Sequence, residues 1–160
     1  MKALLLVLVA CFLVSCAPPP PDTAALRTQI DEMMAKAEKD ILANAPDTTL
    51  AQYTDDAISL PNNGPMLKGK SAIKEYFVKM MSMGVKFTNV DFVTQDVMAG
   101  GRYVYEVGTY TMTMQIPAMG EMTEEGKYLN VYEMGGDGKL KIKVETWNTD
   151  TMPPMPGSTP

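Results

Sequence analysis

The chain has 160 residues, of which 46% are hydrophobic, and is long enough for one domain with its own core. Its formal net charge of −5 disfavours nucleic acid and anionic lipid surfaces as partners. The sequence contains no histidine, which excludes Ser-His and Cys-His nucleophile pairs and His-ligated metal sites. It also contains no P-loop, dinucleotide-binding or paired-cysteine motif, so we expect no cofactor and no metal.

The first 15 residues are typical of a bacterial lipoprotein signal peptide. Lys2 precedes an apolar run, residues 3–14, that is too short to span a membrane. Leu13, Ser15 and Cys16 then match the lipobox that lipoprotein signal peptidase recognises. An ordinary cleaved signal peptide is the alternative, but only a lipobox requires a cysteine at this position. We therefore expect residues 1–15 to be removed and Cys16 to be acylated.

Acylation of Cys16 would anchor the protein to the bacterial cell envelope, since each buried methylene contributes about 0.8 kcal/mol. Ala17 follows the cysteine where an aspartate would retain the protein in the inner membrane, which favours the outer membrane, facing the periplasm. Residues 16–22 are then the lipidated cysteine and a proline-rich tether, and residues 23–151 the folded domain. Residues 152–160 form a proline-rich tail that we expect to be disordered.

Helical periodicity dominates the first half of the domain. Asp22 or Thr23 can cap a helix that Asn44-Ala45-Pro46 ends. The apolar face of this helix consists of Leu26, Ile30, Met33, Ala37 and Ile41.

Two more helices and a strand are predicted before the chain changes to strands. Asp47 can cap a short helix that carries Leu50 and Tyr53, and residues 57–60 form a short strand. Ser71 can cap a third helix, which Gly84 ends. The two lysines of the Lys68-Gly69-Lys70 segment are interpreted as part of a solvated loop.

Four antiparallel strands are predicted in the second half, at residues 85–98, 102–114, 127–134 and 139–148. The mixed pattern of the first implies a β-bulge or a change of face. Residues 115–126 are predicted to be a loose hairpin tip. Helices followed by a meander indicate an α+β fold, in which one curved antiparallel sheet packs on the N-terminal helices.

The last strand alternates in a way that assigns its two faces. Four charged residues share one face and are expected in water: Lys139, Lys141, Lys143 and Glu145. Thr146 and Asn148 would then face the interior. Trp147 would lie on the outer face, where a large aromatic residue suggests a partner subunit or a covering loop.

The strand at residues 102–114 contains a carboxylate, Glu106, on the same face as Gly108, Tyr110 and Met112. The opposite face is rich in Thr and Tyr, which are common on strand faces turned to solvent. We therefore place Glu106, Tyr110 and Met112 inside. On the neighbouring strand the more pocket-like face consists of Tyr128, Asn130 and Tyr132. The opposite face carries the apolar Leu129 and Val131, which would also suit the interior.

Three segments together resemble the SnoaL-like, domain-of-unknown-function branch of the nuclear transport factor 2-like superfamily. They are D-D-A-I-S-L-P-N-N-G-P-M-L-K-G-K-S-A-I-K-E-Y-F at residues 55–77, Y-V-Y-E-V-G-T-Y-T at residues 103–111 and E-T-W-N-T-D at residues 145–150. The resemblance covers roughly residues 26–150. It implies a cone, a strongly bent sheet closed by helices, with a pocket in its open end.

Proteins of this superfamily include ketosteroid isomerase, polyketide cyclases, scytalone dehydratase and limonene epoxide hydrolase, and others only bind a ligand or dimerise, so fold alone does not assign a function. The residues expected to line a ligand pocket are Tyr53, Tyr76, Glu106, Tyr110, Met112, Tyr128, Asn130 and Asn148. Our leading hypothesis is a domain that binds a small apolar ligand without catalysis. The alternatives are an isomerase-, cyclase- or hydratase-type enzyme and a homodimeric interaction module with a vestigial pocket.

Glu106 allows two interpretations. An apolar cone disfavours the charged form of a carboxyl group, which could make Glu106 a general acid or base, with Tyr110 or Tyr128 donating to a developing enolate oxygen. In the other interpretation Glu106 is hydrogen-bonded to those tyrosines or to Asn148 and only shapes the cavity, since buried polar groups need partners in any case.

The 15 methionines allow two interpretations as well. Thioethers select Cu(I), and an exported domain could handle copper. The alternative is that methionine is a flexible filler in a pocket that accepts irregular apolar ligands. Because neither histidine nor a free cysteine supports a metal site, we favour the second interpretation.

Overall fold

The computed structural model describes residues 22–151, which form three helices and six strands. The helices are α1 (Thr23–Leu42), α2 (Pro46–Leu50) and α3 (Lys70–Ser82). The strands are β1 (Tyr53–Leu60), β2 (Leu67–Lys68), β3 (Lys86–Gly100), β4 (Tyr103–Ile116), β5 (Gly120–Met134) and β6 (Leu140–Thr149). None of the helices described is long and apolar enough to cross a membrane. The predicted signal peptide, acylation site and C-terminal tail lie outside the described residues.

All six strands belong to one curved sheet with the order β2-β1-β6-β5-β4-β3. The four-stranded antiparallel meander predicted from the sequence is its larger part. The predicted α+β fold is confirmed, with the addition that the sheet is mixed, because β1 runs parallel to β6.

Helix α1 covers the sheet and forms one wall of the core. Its N-cap is Asp22, whose carboxylate accepts hydrogen bonds from the amides of Ala24 and Ala25 at 3.0 and 3.3 Å. The buried residues on its inner face are Leu26, Ile30, Met34 and Ala37. The predicted periodicity is therefore correct, although the buried methionine is Met34, one position beyond Met33.

Three local predictions before β3 are wrong. Tyr53 begins β1 instead of ending the second helix. That helix starts at Pro46, whose fixed φ suits the first helical position, so Asp47 lies in its first turn and does not cap it. Ser71 does not cap α3 either, because Gly69, at φ 83°, precedes the helix and donates its amide to the carbonyl of Ala57 at 2.7 Å.

The β4–β5 hairpin is longer than predicted, because residues 115–126 are mostly strand. Cross-strand pairs extend the ladder to the turn at residues 117–119: the hydroxyls of Thr113 and Thr123 are 3.0 Å apart, and Gln115 donates to Glu121 at 2.9 Å. The bulge predicted in β3 is present, with register shifts between Phe87 and Asn89 and between Thr94 and Asp96.

A bulge also occurs in β6, where strict alternation did not predict one. It exchanges the inner and outer faces for the residues that follow it. Val144 pairs with Val131 while Ile142 pairs with Tyr132, so the ladder skips Lys143. One extra residue moves every later side chain to the opposite face. Glu145 is therefore buried, and Asn148, predicted to face the interior, is exposed.

Candidate functional site

The concave face of the sheet and the helices enclose a cavity of about 430 Å³. Its walls are mostly apolar and aromatic, with Met34 from α1, Phe77 from α3 and Phe92 from β3 among them. The same wall includes Trp147 from β6. Because Trp147 lines the cavity, the prediction that it lies on the outer face, against a partner subunit or a covering loop, is wrong.

Six of the eight predicted pocket residues line this cavity: Tyr53, Tyr76, Tyr110, Met112, Tyr128 and Asn130. Asn148 does not, because the β6 bulge turns it outward. Glu106 is also missing from the cavity wall, because its side chain is fully enclosed at 0% exposure. Whether any of these residues contacts a ligand stays a prediction.

Glu106 lies at the centre of a saturated hydrogen-bond cluster. Its Oε1 accepts from the hydroxyls of Thr94 at 2.8 Å and Tyr128 at 2.7 Å. Its Oε2 accepts from the Asn130 amide at 3.1 Å and the Tyr132 hydroxyl at 2.5 Å. Burial, and then the adjacent Glu106, raise the pKa of both Tyr128 and Tyr132 well above the ordinary value, so both phenols stay protonated donors.

Gly108 makes this cluster possible. A Cβ at Gly108 would lie 2.2 Å from Cζ and 2.3 Å from the hydroxyl of Tyr128, its cross-strand partner. The Tyr128 ring therefore crosses the β4 backbone at the one position without a side chain and reaches Glu106 beyond it. The group that approaches this glycine closely is thus a tyrosine of the neighbouring strand.

A second buried carboxyl group, Glu145, borders the cavity. The Tyr53 hydroxyl donates to its Oε2 at 2.6 Å, whereas its Oε1 has no hydrogen-bond partner within residues 22–151. Burial raises the pKa of Glu145, and the hydroxyls of Tyr53 and Ser59 act in the opposite direction. Ser59 pairs in register with Glu145, although its hydroxyl makes no hydrogen bond of ordinary geometry to any described residue.

Gln52, beside Tyr53 in the chain, also lines the cavity. Its side chain is 9% exposed, and neither its Nε2 nor its Oε1 has a hydrogen-bond partner in the described part of the chain. Buried polar groups without partners are uncommon, and each costs about 1–3 kcal/mol. Because they border the cavity, these atoms are available to a molecule that enters it.

The sequence analysis missed Glu145 and Gln52. Strict alternation assigned Glu145 to the solvent face together with three lysines, and the bulge at Lys143 breaks that alternation. Trp147 carried the signal that could have revealed the shift. A large aromatic residue on the outer face was unexpected, and a change of register before it places both Trp147 and Glu145 inside.

Comparison with known proteins assigns the family. The SnoaL-like domain model matches residues 37–142, about two thirds of the chain. The chain belongs to the SnoaL-like domain family. No curated protein matches its sequence.

Solved structures agree with this SnoaL-like assignment at the level of the fold. A ketosteroid isomerase-like protein from Erwinia carotovora atroseptica is similar with a TM-score of 0.69 at 14% identity, covering 78% of this chain and 96% of its own. A protein from Catenulispora acidiphila in complex with S-DNPA has a TM-score of 0.69 at 15% identity, covering 79% and 95%. A cystatin-like protein of unknown function from Nostoc punctiforme has a TM-score of 0.66 at 16% identity, covering 81% and 80%.

Flexible methionine side chains from two parts of the chain line the cavity of the SnoaL-like domain. They are Met80 and Met81 of α3, Met83 at its C-cap, and Met112 and Met114 of β4. The structure thus brings five of the 15 methionines to one cavity. A cluster of three or more His, Cys, Asp or Glu side chains able to hold a metal does not occur within the described residues.

A tyrosine and a carboxylate add polarity to the cavity wall. The Tyr110 hydroxyl donates to Glu124 Oε1 at 2.5 Å, and burial followed by this contact raises the pKa of Tyr110. The wall of the SnoaL-like domain therefore combines flexible apolar side chains with a hydrogen-bonded carboxylate.

Proposed function

We propose that the protein is a cell-envelope lipoprotein whose SnoaL-like domain binds a small, largely apolar molecule without converting it. The cavity carries this proposal. Its volume of about 430 Å³ lies in the range of about 300–1,000 Å³ that is usual for small-molecule sites. Apolar walls with a few polar groups at one end are also typical of such sites. The similar Catenulispora acidiphila structure holds a small molecule, S-DNPA, which supports ligand binding in this fold.

The state of Glu106 supports binding over catalysis. A general acid or base has to reach the substrate, directly or through one water molecule. Glu106 is enclosed at 0% exposure, and its two oxygens already accept four hydrogen bonds. Its arrangement favours the interpretation in which it shapes the cavity wall.

An isomerase-, cyclase- or hydratase-type enzyme is the second candidate, and Glu145 is the observation that favours it. This carboxyl group borders the cavity, and burial raises its pKa, which favours the protonated form that a general acid needs. The catalytic group would then be Glu145 instead of Glu106.

Native mass spectrometry of protein extracted from envelopes separates the two candidates. A binding protein should retain a ligand that is released unchanged after incubation with the purified protein. Conversion of the released ligand by the wild type, and its loss in Glu145→Gln, would support the enzyme instead.

Binding of the neutral dye Nile red tests the cavity itself. Met112→Trp, which fills the cavity from β4, should abolish the fluorescence increase. Thr109→Trp is the matched control, because Thr109 is exposed on the opposite face of the same strand. Equal dye binding by the two variants would contradict binding in the cavity.

The lipid anchor is tested separately. Cys16→Ser should release the protein from membranes into the soluble fraction, because the thiol that would be acylated is removed. A Ser15→Ala variant, which keeps a small residue before Cys16, is the control and should stay membrane-bound. Membrane retention of Cys16→Ser would overturn the lipoprotein assignment.

The homodimer stays a prediction, and the surface that supports it is the outer face of the sheet. Trp147 no longer supports it, but the outer face of the sheet exposes Val107 and Leu129, which are neighbours in register and are each 38% exposed. Sedimentation velocity of the wild type and of Leu129→Lys would test whether this surface joins two copies.

A further inference from the structure

The charge of the cavity wall restricts the ligand. Within the described residues the wall contains three carboxylates, Asp40, Glu124 and Glu145, and no lysine or arginine. Asp40 pairs with Lys36 outside the cavity, and Glu124 accepts from Tyr110. A ligand with an anionic group would meet only negative charge and neutral dipoles in this cavity. The wall therefore accepts neutral or cationic molecules.

The polar end of the cavity has acceptors that lack donors. Glu145 is 8% exposed, and its Oε1 has no hydrogen-bond partner among residues 22–151. Gln52, 9% exposed, has no hydrogen-bond partner at its Oε1 or at its Nε2 within these residues, so it offers a ligand a second acceptor and also a donor. The one donor to Glu145 of ordinary geometry is the neutral Tyr53 hydroxyl, so nothing in the described wall supplies a positive charge to this carboxyl group. A ligand that satisfies the two acceptors, Glu145 Oε1 and Gln52 Oε1, brings N–H or O–H donors, and a cationic donor binds them most strongly.

The aromatic lining suits a cation for a separate reason. Tyr53 and Trp147 border the same part of the cavity as Glu145, and Tyr110 and Tyr128 line the β4–β5 side. The faces of aromatic rings attract a cationic group, and more strongly when the pair is desolvated. A wall with several aromatic rings and a buried carboxyl group therefore suits an ammonium group, and no lysine or arginine of the described wall would repel it.

We propose that the ligand is an apolar amine whose ammonium group pairs with Glu145 and Gln52 while its hydrocarbon part fills the methionine- and aromatic-lined cavity. This inference rests on the proposed function, because it assumes that the cavity binds a small molecule. Burying an ion pair is normally costly, since both charges lose their hydration. Here folding has already removed Glu145 from water, so binding adds the dehydration of the ligand and the loss of any proton that the buried carboxyl group holds. The site is preorganised in this sense.

Three ligands of matched shape test the inference: 4-phenylbutylamine, 4-phenylbutanol and 4-phenylbutyrate, each competed against Nile red with the full acylated protein at pH 7. The amine should bind about tenfold more tightly than the alcohol, and the carboxylate should bind more weakly than both. Glu145→Gln should lower the affinity for the amine to that for the alcohol. Glu121→Gln is the control, because it removes the same charge from an exposed position on β5 and should leave the preference intact.

The comparison of the three ligands on the wild type does not depend on how the variants fold. An alcohol that binds as tightly as the amine, or an amine preference that survives in Glu145→Gln, overturns the inference and leaves the binding function in place. Binding of Nile red but of none of the three ligands overturns it as well. Failure of Nile red itself to bind contradicts the binding function, and with it the amine.

Discussion

Glu145→Gln should change the dependence of stability on pH in a direction that the structure fixes. The substitution keeps the size of the side chain and an oxygen that can accept the Tyr53 hydroxyl, now 2.6 Å from Oε2. It removes the ionisable group. In the wild type, burial raises the pKa of Glu145 from its ordinary value of 4.5. The folded protein therefore holds this proton to a higher pH than the unfolded chain does.

The sign and the size of the effect follow from proton linkage. Between the unfolded and the folded pKa of Glu145 the native state binds more protons, so stability falls as the pH rises through this interval. One proton contributes a slope of about 1.4 kcal/mol per pH unit, which corresponds to roughly 5 °C in Tm for a domain of this size. The stability is fully present below the unfolded pKa and reaches a lower plateau above the folded pKa. Glu145→Gln should lack this slope and become more stable relative to the wild type as the pH rises.

Urea unfolding at half-unit steps from pH 4 to pH 8 measures this difference. Trp147 is the only tryptophan in the chain and lies in the cavity wall near Glu145, so its fluorescence reports the transition. The absence of histidine leaves the range above pH 5.5 free of side chains that ordinarily titrate there. Glu121→Gln controls for the loss of one negative charge from an exposed position. A constant stability difference between Glu145→Gln and the wild type across this range would refute the reasoning.

Three further outcomes are expected. Glu106→Gln replaces one acceptor oxygen by an amide that faces two hydrogen-bond donors, so urea unfolding should show a loss of about 2–4 kcal/mol; an unchanged stability with abolished turnover would favour catalysis. Gly108→Ala should cost about 2–3 kcal/mol in the same assay, because its methyl group would lie 2.2 Å from the Tyr128 ring, and a neutral effect would contradict that packing. Burial raises the pKa of Tyr53, Tyr128 and Tyr132, so these phenols stay protonated in the folded state above pH 10 while the unfolded chain loses its protons. Stability should then fall with rising pH by up to about 1.4 kcal/mol per unit per tyrosine, and the phenolate absorbance of these three residues should appear only with unfolding.

The sequence predicted the inner faces of β4 and β5 correctly because these strands form an uninterrupted ladder from Tyr103 to Ile116. Without a register shift, a period of two assigns each side chain to a face. Glu106 was located in this way, together with Tyr110 and Tyr128. Its four hydrogen bonds could not be predicted from the sequence. They depend on the space left by the missing side chain of Gly108, which the Tyr128 ring occupies, and on Thr94 at a bulge of β3.

Alternation with a period of two did not predict the faces of β6 correctly. The β5–β6 ladder skips one residue there, and this shift decides that the carboxyl group of Glu145 borders the cavity. A bulge depends on how two strands fit in three dimensions, and within K-I-K-V-E-T-W only Trp147, which strict alternation places on the outer face, indicates one. The error concerned a short segment, but it had a large consequence for the predicted site. It placed Asn148 in the pocket and Glu145 in solvent, whereas the structure has the reverse. The parallel pairing of β1 with β6, which brings Tyr53 to Glu145, was likewise not visible in the sequence.

The two buried carboxyl groups differ because of one asparagine between them. Glu106, Asn130 and Glu145 are cross-strand neighbours on one row of the sheet, and Ser59 of β1 continues it. The amide nitrogen of Asn130 donates to Glu106 at 3.1 Å and to the Tyr132 hydroxyl at 3.2 Å, so both of its protons serve the Glu106 side of the row. Glu145 receives only the Tyr53 hydroxyl and keeps an unpartnered oxygen within the described residues. The row therefore satisfies Glu106 and leaves Glu145 incomplete beside the cavity. This difference supports our proposals that Glu106 holds the wall residues Tyr128 and Asn130 in place and that Glu145 meets the ligand.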